Sequence, residues 1–295
     1  MRWIRFRDRD GRAVYAHVEG EGAQPVEGTP FGAWNDRGDA VALASIEWLP
    51  PVQPSKVIAL WKNFHALAAK QQQAIPTEPL YALRAPSSLA AHRQPVLRPT
   101  SYDGAVFYEG ELALVVGRTM RALPPAQVRA HLLGCTIAND VTAMELITRD
   151  PSFAQWSRAK SFDSFGVLGP WIDTAFDWTG ASVHTRVNGR ERQHYPLADM
   201  IFAPDELLSR LSHDMTLEPG DVVLCGTSVG SLPMRPGSEV EVEIDGLGVL
   251  ANRYDSAAAQ PHTNSRSIVE KTPCAGSRPF APLPRAPSAR GLQLG

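Results

Sequence analysis

Three carboxylates set the chemistry open to this chain. Glu109 and Glu111 flank Gly110 within residues 106–117, where aromatic and β-branched residues and a closing glycine predict a β-strand. Side chains alternate along a strand, so both glutamates project from one face, one pleat apart. Such a pair repels itself, and desolvation beside a run as apolar as residues 112–116 adds to the cost. A third acid, Asp140, ends the apolar run 132–140, at a distance that leaves room for one intervening helix. Three carboxylates, with positions left for water or substrate, suit a hard divalent ion: Mg2+, Mn2+ or Ca2+. On the residues alone two readings stand, this metal centre and the solvated face of an antiparallel sheet.

Other chemistry-bearing residues need elements to hold them. Residues 56–60 read as a short buried strand, followed by a helix over 63–73 that begins near His65, a place for a general base working near neutral pH. Tyr81 opens a further strand that runs into a Pro/Ser turn, and residues 95–99 are extended. A helix over 124–133, with proline in its first turn, joins the two acidic stretches. Beyond Asp140, residues 143–148 suggest a helical turn. Strands follow at 182–187 and 190–193 around the Asn188-Gly189 turn, then at 221–227, 238–244 and 248–253, with a helix over 204–211 between them. Glu145 and Asp150 are expected to face solvent.

Composition bounds the rest. The chain has 295 residues, 43% hydrophobic and 20% charged, with a net charge of −2, which is the profile of a globular protein with one large domain and a smaller piece. That balance argues against nucleic acid or an anionic membrane as partner. No apolar run reaches the roughly 20 residues of a membrane span, and the start alternates apolar and charged residues, so a cytoplasmic location is expected. Cys135, Cys225 and Cys274 have neither disulfide-framework nor zinc spacing. The divisions expected are a small N-terminal β subdomain over 1–53, with a hairpin turned at Asp10-Gly11, a catalytic domain over 54–254, and a disordered Pro/Ser/Arg-rich tail over 255–295.

The motifs fall in a familiar series. Tyr108-Glu109-Gly110-Glu111-Leu112, Ala138-Asn139-Asp140-Val141-Thr142-Ala143, Arg158-Ala159-Lys160-Ser161-Phe162-Asp163, Pro219-Gly220-Asp221 through Gly226-Thr227, and Pro236-Gly237-Ser238 resemble, in order and spacing, the fumarylacetoacetate hydrolase family. The resemblance implies an α+β fold, predominantly β: a mixed β-sheet roll with peripheral helices, homodimeric, around one divalent metal. It makes Glu109, Glu111 and Asp140 the metal ligands. Lys160 becomes the ammonium beside substrate and His65 the proton-transfer group, with Gly226, Thr227 and Phe162 at the substrate and Asp163 behind them. The implied substrate is a small 2-oxo acid, of acylpyruvate, fumarylacetoacetate or aromatic-catabolism diacid type. Its keto-carboxylate would chelate the ion, so that an enolate is stabilised. The expected activity is hydrolysis or lysis of a C–C bond.

The chain also departs from the family's pattern. Ala68 stands where a glutamate partners the histidine, and Trp61-Lys62 replaces the usual Asn-Tyr. Met144 replaces an arginine that reaches substrate, a role open to Arg84, Arg149 or Arg158, and Ser228 replaces a proline after Thr227. Losing the glutamate weighs against a water-activating dyad. Decarboxylation or enol–keto tautomerisation of a 2-oxo diacid needs no nucleophilic water and is the alternative, together with a metal-binding relative that has lost turnover.

Overall fold

Every residue of the strand Gly110–Val116 is buried, so both of its faces must be covered. In the computed structural model, which describes residues 1–256, alternation divides the strand between two cores. Leu112, Leu114 and Val116 pack in a cluster with Val183, Val242 and Ile244 of a second sheet. Ala113 and Val115 pack on the other side with Val57, Ala59, Val222 and Leu224.

The strand lies inside a 13-stranded mixed sheet. Its neighbours, Leu132–Asp140 and Val222–Leu224, both run antiparallel to it. On one side follow Gly166–Asp173, Arg2–Arg7, Ala13–Glu19 and Gly22–Gly28; on the other, parallel Val57–Trp61 and then antiparallel Leu80–Arg84. The second sheet has five strands, in the order Val96–Arg98, Gly248–Ser256, Ser238–Ile244, Ser182–Val187 and Arg190–Pro196. At Gly110 the two sheets approach closely: a Cβ there would lie 2.2 Å from Thr185 Oγ1 and 2.9 Å from Val242 Cγ1. Only glycine fits between the two glutamates.

The fold is α+β and predominantly β, as expected, and the helices are shorter than periodicity suggests. The helix expected over 63–73 is His65–Lys70, closed where Gln72 turns to a φ of 53°. The one expected over 124–133 is Pro125–Val128 followed by a 3-10 turn, because Leu132 and Leu133 are taken into the sheet. Residues 143–148 contain a single 3-10 turn, Met144–Leu146. Among the described residues only Pro204–Asp214 is a long helix, burying Leu207, Leu208 and Leu211. Residues 106–117 are not one strand: Val106–Phe107 pairs with Thr142–Ala143, and pairing resumes at Gly110.

The N-terminal strands continue the main sheet through Trp3 opposite Ile172, and the described residues form one compact unit. Asp255 and Ser256 complete the strand Gly248–Ser256; the rest of the tail expected over 255–295 lies outside the described residues. No helix among the described residues is long and apolar enough to cross a membrane.

Candidate functional site

The break at Tyr108-Glu109 positions the acids. Glu109 N–H donates to the Asn139 side-chain oxygen at 3.1 Å, and Asp140 N–H donates to the Glu109 carbonyl at 2.8 Å. The Asn-Asp pair thus lets its strand follow Glu109 past the interruption. Glu109, Glu111 and Asp140 all become buried, with one carboxylate oxygen from each within 4.8 Å of the others.

Two cations face these three acids. Lys160, at the end of the helix Trp156–Lys160, is buried, with Nζ 2.7 Å from Glu109 Oε2, 2.8 Å from Thr142 Oγ1 and in contact with Asp140 Oδ2. Arg84, at the end of Leu80–Arg84, is wholly buried, with Nη1 2.9 Å from Asp140 Oδ1. It also donates to the carbonyls of Phe165 at 3.1 Å, Val141 at 3.0 Å and Lys160. Among the three arginines considered from sequence, Arg149 and Arg158 are exposed and Arg84 braces Asp140.

Three carboxylates against two cations leave one negative charge in a desolvated space. Burial, reinforced by the Asp140 charge, pushes the Glu111 carboxyl well above its usual range; burial also raises Glu109, against the pull of Lys160. Burial alone would lower Lys160, but Asp140, Glu109 and Glu111 override it and hold it as an ammonium. Glu111 Oε2 accepts the Gly226 amide at 2.8 Å, whereas Oε1 is buried without a donor. Asp140 Oδ1 is close enough to Arg84 for an ion pair but is not aligned as a hydrogen bond, so it too lacks a donor. Buried carboxylate oxygens left bare are costly, and a cation is their natural partner. An all-oxygen donor set of this kind fits a hard divalent ion.

A cavity of about 330 Å³ opens beside this cluster. Glu109, Lys160 and Thr227 line it, with Trp61, Met144 and Trp156 forming apolar wall and Lys62 and Lys70 contributing further amines. Gly226 sits at a φ of +88°, a left-handed backbone that favours glycine, and this turn aims its amide at Glu111. Thr227 Oγ1 donates to the Gly110 carbonyl at 3.0 Å and accepts from Gln193 Nε2 at 2.9 Å.

The remaining expected site residues stand apart from the cavity. Lys62, at a φ of 54°, turns the chain so that Asn63 is buried, where it bonds Phe202 and Cys225. His65, two residues on, is exposed and absent from the lining, and Ala68 is buried. Phe162 packs on Tyr102 and Phe165, with ring centroids 6.2 and 5.3 Å away. Asp163 is exposed, as are Glu145 and Asp150.

Gln193 and Tyr195, which no sequence motif marks, also hold the site. Gln193 Oε1 accepts the Gly110 amide at 3.1 Å, and the Tyr195 hydroxyl bonds the Gly110 carbonyl. Their alternate spacing in Gln193-His194-Tyr195 was the available signal. Thr142, two residues beyond Asp140 in the same motif, bonds both Lys160 and Glu109.

Residues 56–254 match the fumarylacetoacetate (FAA) hydrolase C-terminal family, and residues 1–51 match the Rv2993c-like N-terminal family. The chain is 36% identical over 262 residues to Protein Rv2993c of Mycobacterium tuberculosis, covering 85% of this chain and 97% of that one. It is 32% identical over 226 residues to the oxaloacetate tautomerase YisK of Bacillus subtilis, covering 72% and 74%. Among solved structures, a 5-carboxymethyl-2-hydroxymuconate delta-isomerase from Mycobacterium smegmatis superimposes with a TM-score of 0.79 at 35% identity, covering 87% of this chain and all of that one. With a family match over most of its length and Glu109, Glu111 and Asp140 gathered at one buried cluster, the chain belongs to the fumarylacetoacetate hydrolase family.

Proposed function

We propose that this protein is a divalent-metal-dependent enzyme that stabilises the enolate of a small 2-oxo acid, and that its reaction is tautomerisation or decarboxylation in preference to C–C hydrolysis. The observation that carries this reading is the buried trio Glu109, Glu111 and Asp140, two of whose oxygens lack donors beside a cavity lined by Lys160. These three would hold the ion, with Mg2+, Mn2+ and Ca2+ as the candidates. When bound, the ion would polarise the 2-oxo group and offset negative charge developing on its oxygen.

The chain's own residues do the rest. Lys160, kept charged by its carboxylate neighbours, supplies a fixed positive charge to the substrate carboxylate or the developing enolate. Gly226 and Thr227 hold Glu111 and Gly110 in place. Trp61, Met144 and Trp156 exclude water from one wall. His65 points to solvent and Ala68 carries no carboxylate, so the usual means of activating water is missing. Proton transfer between carbon and oxygen needs only a relay, for which Lys62, Lys70 and solvent are at hand. The tautomerase and isomerase names among the relatives point the same way. The reading includes a homodimer, on the strength of the family resemblance.

The test is to follow oxaloacetate enol–keto exchange, oxaloacetate decarboxylation and acylpyruvate cleavage with and without Mg2+, in the natural protein and in Glu111→Ala. Metal-dependent exchange or decarboxylation that Glu111→Ala abolishes supports the reading. Acylpyruvate cleavage as the fastest reaction would overturn the preference, and no metal-dependent turnover of any 2-oxo acid would sink the function. Sedimentation analysis of the full chain as a monomer would remove the homodimer.

A further inference from the structure

We propose a second metal site in this protein, for a transition ion such as Zn2+, held by His184, Glu191 and His194 on the outer face of the second sheet. His184 and His194 are direct cross-strand partners in the hairpin turned at Asn188-Gly189, and their rings stack with centroids 4.3 Å apart at 27°. A register shift between Thr185 and Arg186 brings Glu191 to the same end. His184 Nδ1 lies 3.1 Å from Glu191 Oε2, His194 Nδ1 lies 3.8 Å from Glu191 Oε1, and one ligand atom from each residue falls within 4.8 Å of the others.

A fourth residue separates this group from a chance pairing of surface charges. His184 Nε2 is 3.3 Å from Asp245 Oδ1, and Asp245 is itself fixed by accepting the Ser182 amide at 3.1 Å. A carboxylate on the far nitrogen of a ligating histidine sets its tautomer, leaves the near nitrogen's lone pair free for the ion and makes the ring more basic. The ion would replace the direct contact between His184 Nδ1 and Glu191 Oε2. Ligation also asks His194 to rotate out of the stack, and its side chain is 56% exposed, so little packing opposes the turn.

The donor set decides the metal. Two imidazoles and one carboxylate select Zn2+, Ni2+, Co2+ or Cu2+ over Mg2+ or Ca2+, opposite to the all-oxygen cluster at Glu109, Glu111 and Asp140. The two sites lie on opposite faces of one strand: His194 points outward, while Gln193 and Tyr195 beside it hold Gly110. An ion here would clip the hairpin, which already carries Asp245 of the next turn against His184.

The experiment is calorimetric titration of the full chain with Zn2+ in saturating Mg2+, comparing the natural protein with His194→Gln, His184→Gln and the double substitution, with zinc-edge X-ray absorption on the loaded protein. The expected result is one Zn2+ per chain with imidazole in its coordination shell, weakened at least about tenfold by either substitution. Circular dichroism should be unchanged, since His194 is exposed and its replacement tests ligation without disturbing the core. Failure of the natural protein to bind Zn2+, or equal binding by the double substitution, would overturn the assignment.

Discussion

Replacing Lys160 by methionine should have two opposite effects that separate charge from shape. Methionine nearly matches the aliphatic stem but removes an ammonium that sits 2.7 Å from Glu109 Oε2, contacts Asp140 and has only 4% of its surface exposed. The metal-free protein then holds three buried carboxylates against Arg84 alone. Breaking a buried pair in this way costs about 3–5 kcal/mol, lessened where a carboxylate takes up a proton. For a domain of this size each kcal/mol moves Tm by about 2–4 °C, so the metal-free protein should melt on the order of 10 °C lower. Metal affinity should move the other way. A dication sharing the Glu109 carboxylate with this ammonium is repelled by about 8 kcal/mol at roughly 4 Å and an effective dielectric near 20. Even a quarter of that, about 2 kcal/mol, tightens Mg2+ binding roughly 30-fold once the lysine is gone. Thermal denaturation with and without Mg2+, calorimetric titration and a turnover assay would together read the outcome. The expected pattern is a larger Mg2+-induced rise in Tm, tighter Mg2+ binding and loss of turnover. Mg2+ binding no tighter than in the natural protein would refute the picture of Lys160 and the ion drawing on the same carboxylates.

Other substitutions probe separate parts of the argument. Gly110→Ala places a methyl 2.2 Å from Thr185 Oγ1, so it should cost about 1–3 kcal/mol or more and lower Tm by several degrees; adding Thr185→Ala should recover part of the loss, and no recovery would mean the sheets are not in contact there. His65→Ala should leave turnover within about twofold, since the ring is exposed and away from the cavity; a hundredfold loss in a steady-state assay would bring His65 back into the chemistry. His92 is held down to about 4, chiefly by burial and then by Arg93, and its Nδ1 accepts the Ala251 amide. The unfolded chain therefore binds a proton that the folded chain refuses between about pH 6.5 and 4, and stability falls as pH drops through that window. After discounting for partial exposure this amounts to about 2 kcal/mol, and denaturant titrations of His92→Gln across the window should show a shallower loss.

What could be read from sequence follows from how local the determining physics is. Glu109, Glu111 and Asp140 were legible because strand alternation and apolar flanks are local signals, and the mixed β fold came from the series of motifs. Helix ends were not, because propensity favours helix through Leu132 and Leu133 while the sheet claims both residues. The interruption at Glu109 is held by the bond its amide donates to the Asn139 side chain, thirty residues away, which no short window along the chain contains. Arg84 reads as an ordinary strand residue until folding carries it to Asp140. His65 matches the family motif in sequence, but after the turn at Lys62 it lies exposed while Asn63 goes in. The lining of the cavity, drawn from residues 60 to 231, is tertiary in the same way.

The charges at the site lead to a constraint on the substrate. Three acids against Lys160 and Arg84 leave a single negative charge, and a divalent ion turns this into a single positive charge. A buried site of net charge +1 is balanced by one carboxylate; an enolate adds a second negative charge, which protonation at carbon or oxygen removes. In the proposed reading the substrate's far end would meet Met144, Trp61 and Trp156, where the resemblance implies an arginine in place of Met144, with Lys62 and Lys70 the other cations lining the cavity. A second carboxylate must therefore reach those lysines or go unpaired, and an unpaired buried carboxylate is too costly to bind well. Met144→Arg should then lower KM for a 2-oxo diacid such as oxaloacetate and raise it for a 2-oxo acid with an apolar tail, by about tenfold each way if one charge-assisted contact worth about 1.5 kcal/mol is gained or its desolvation imposed. Equal effects on both substrates would mean that Met144 does not face the substrate's far end.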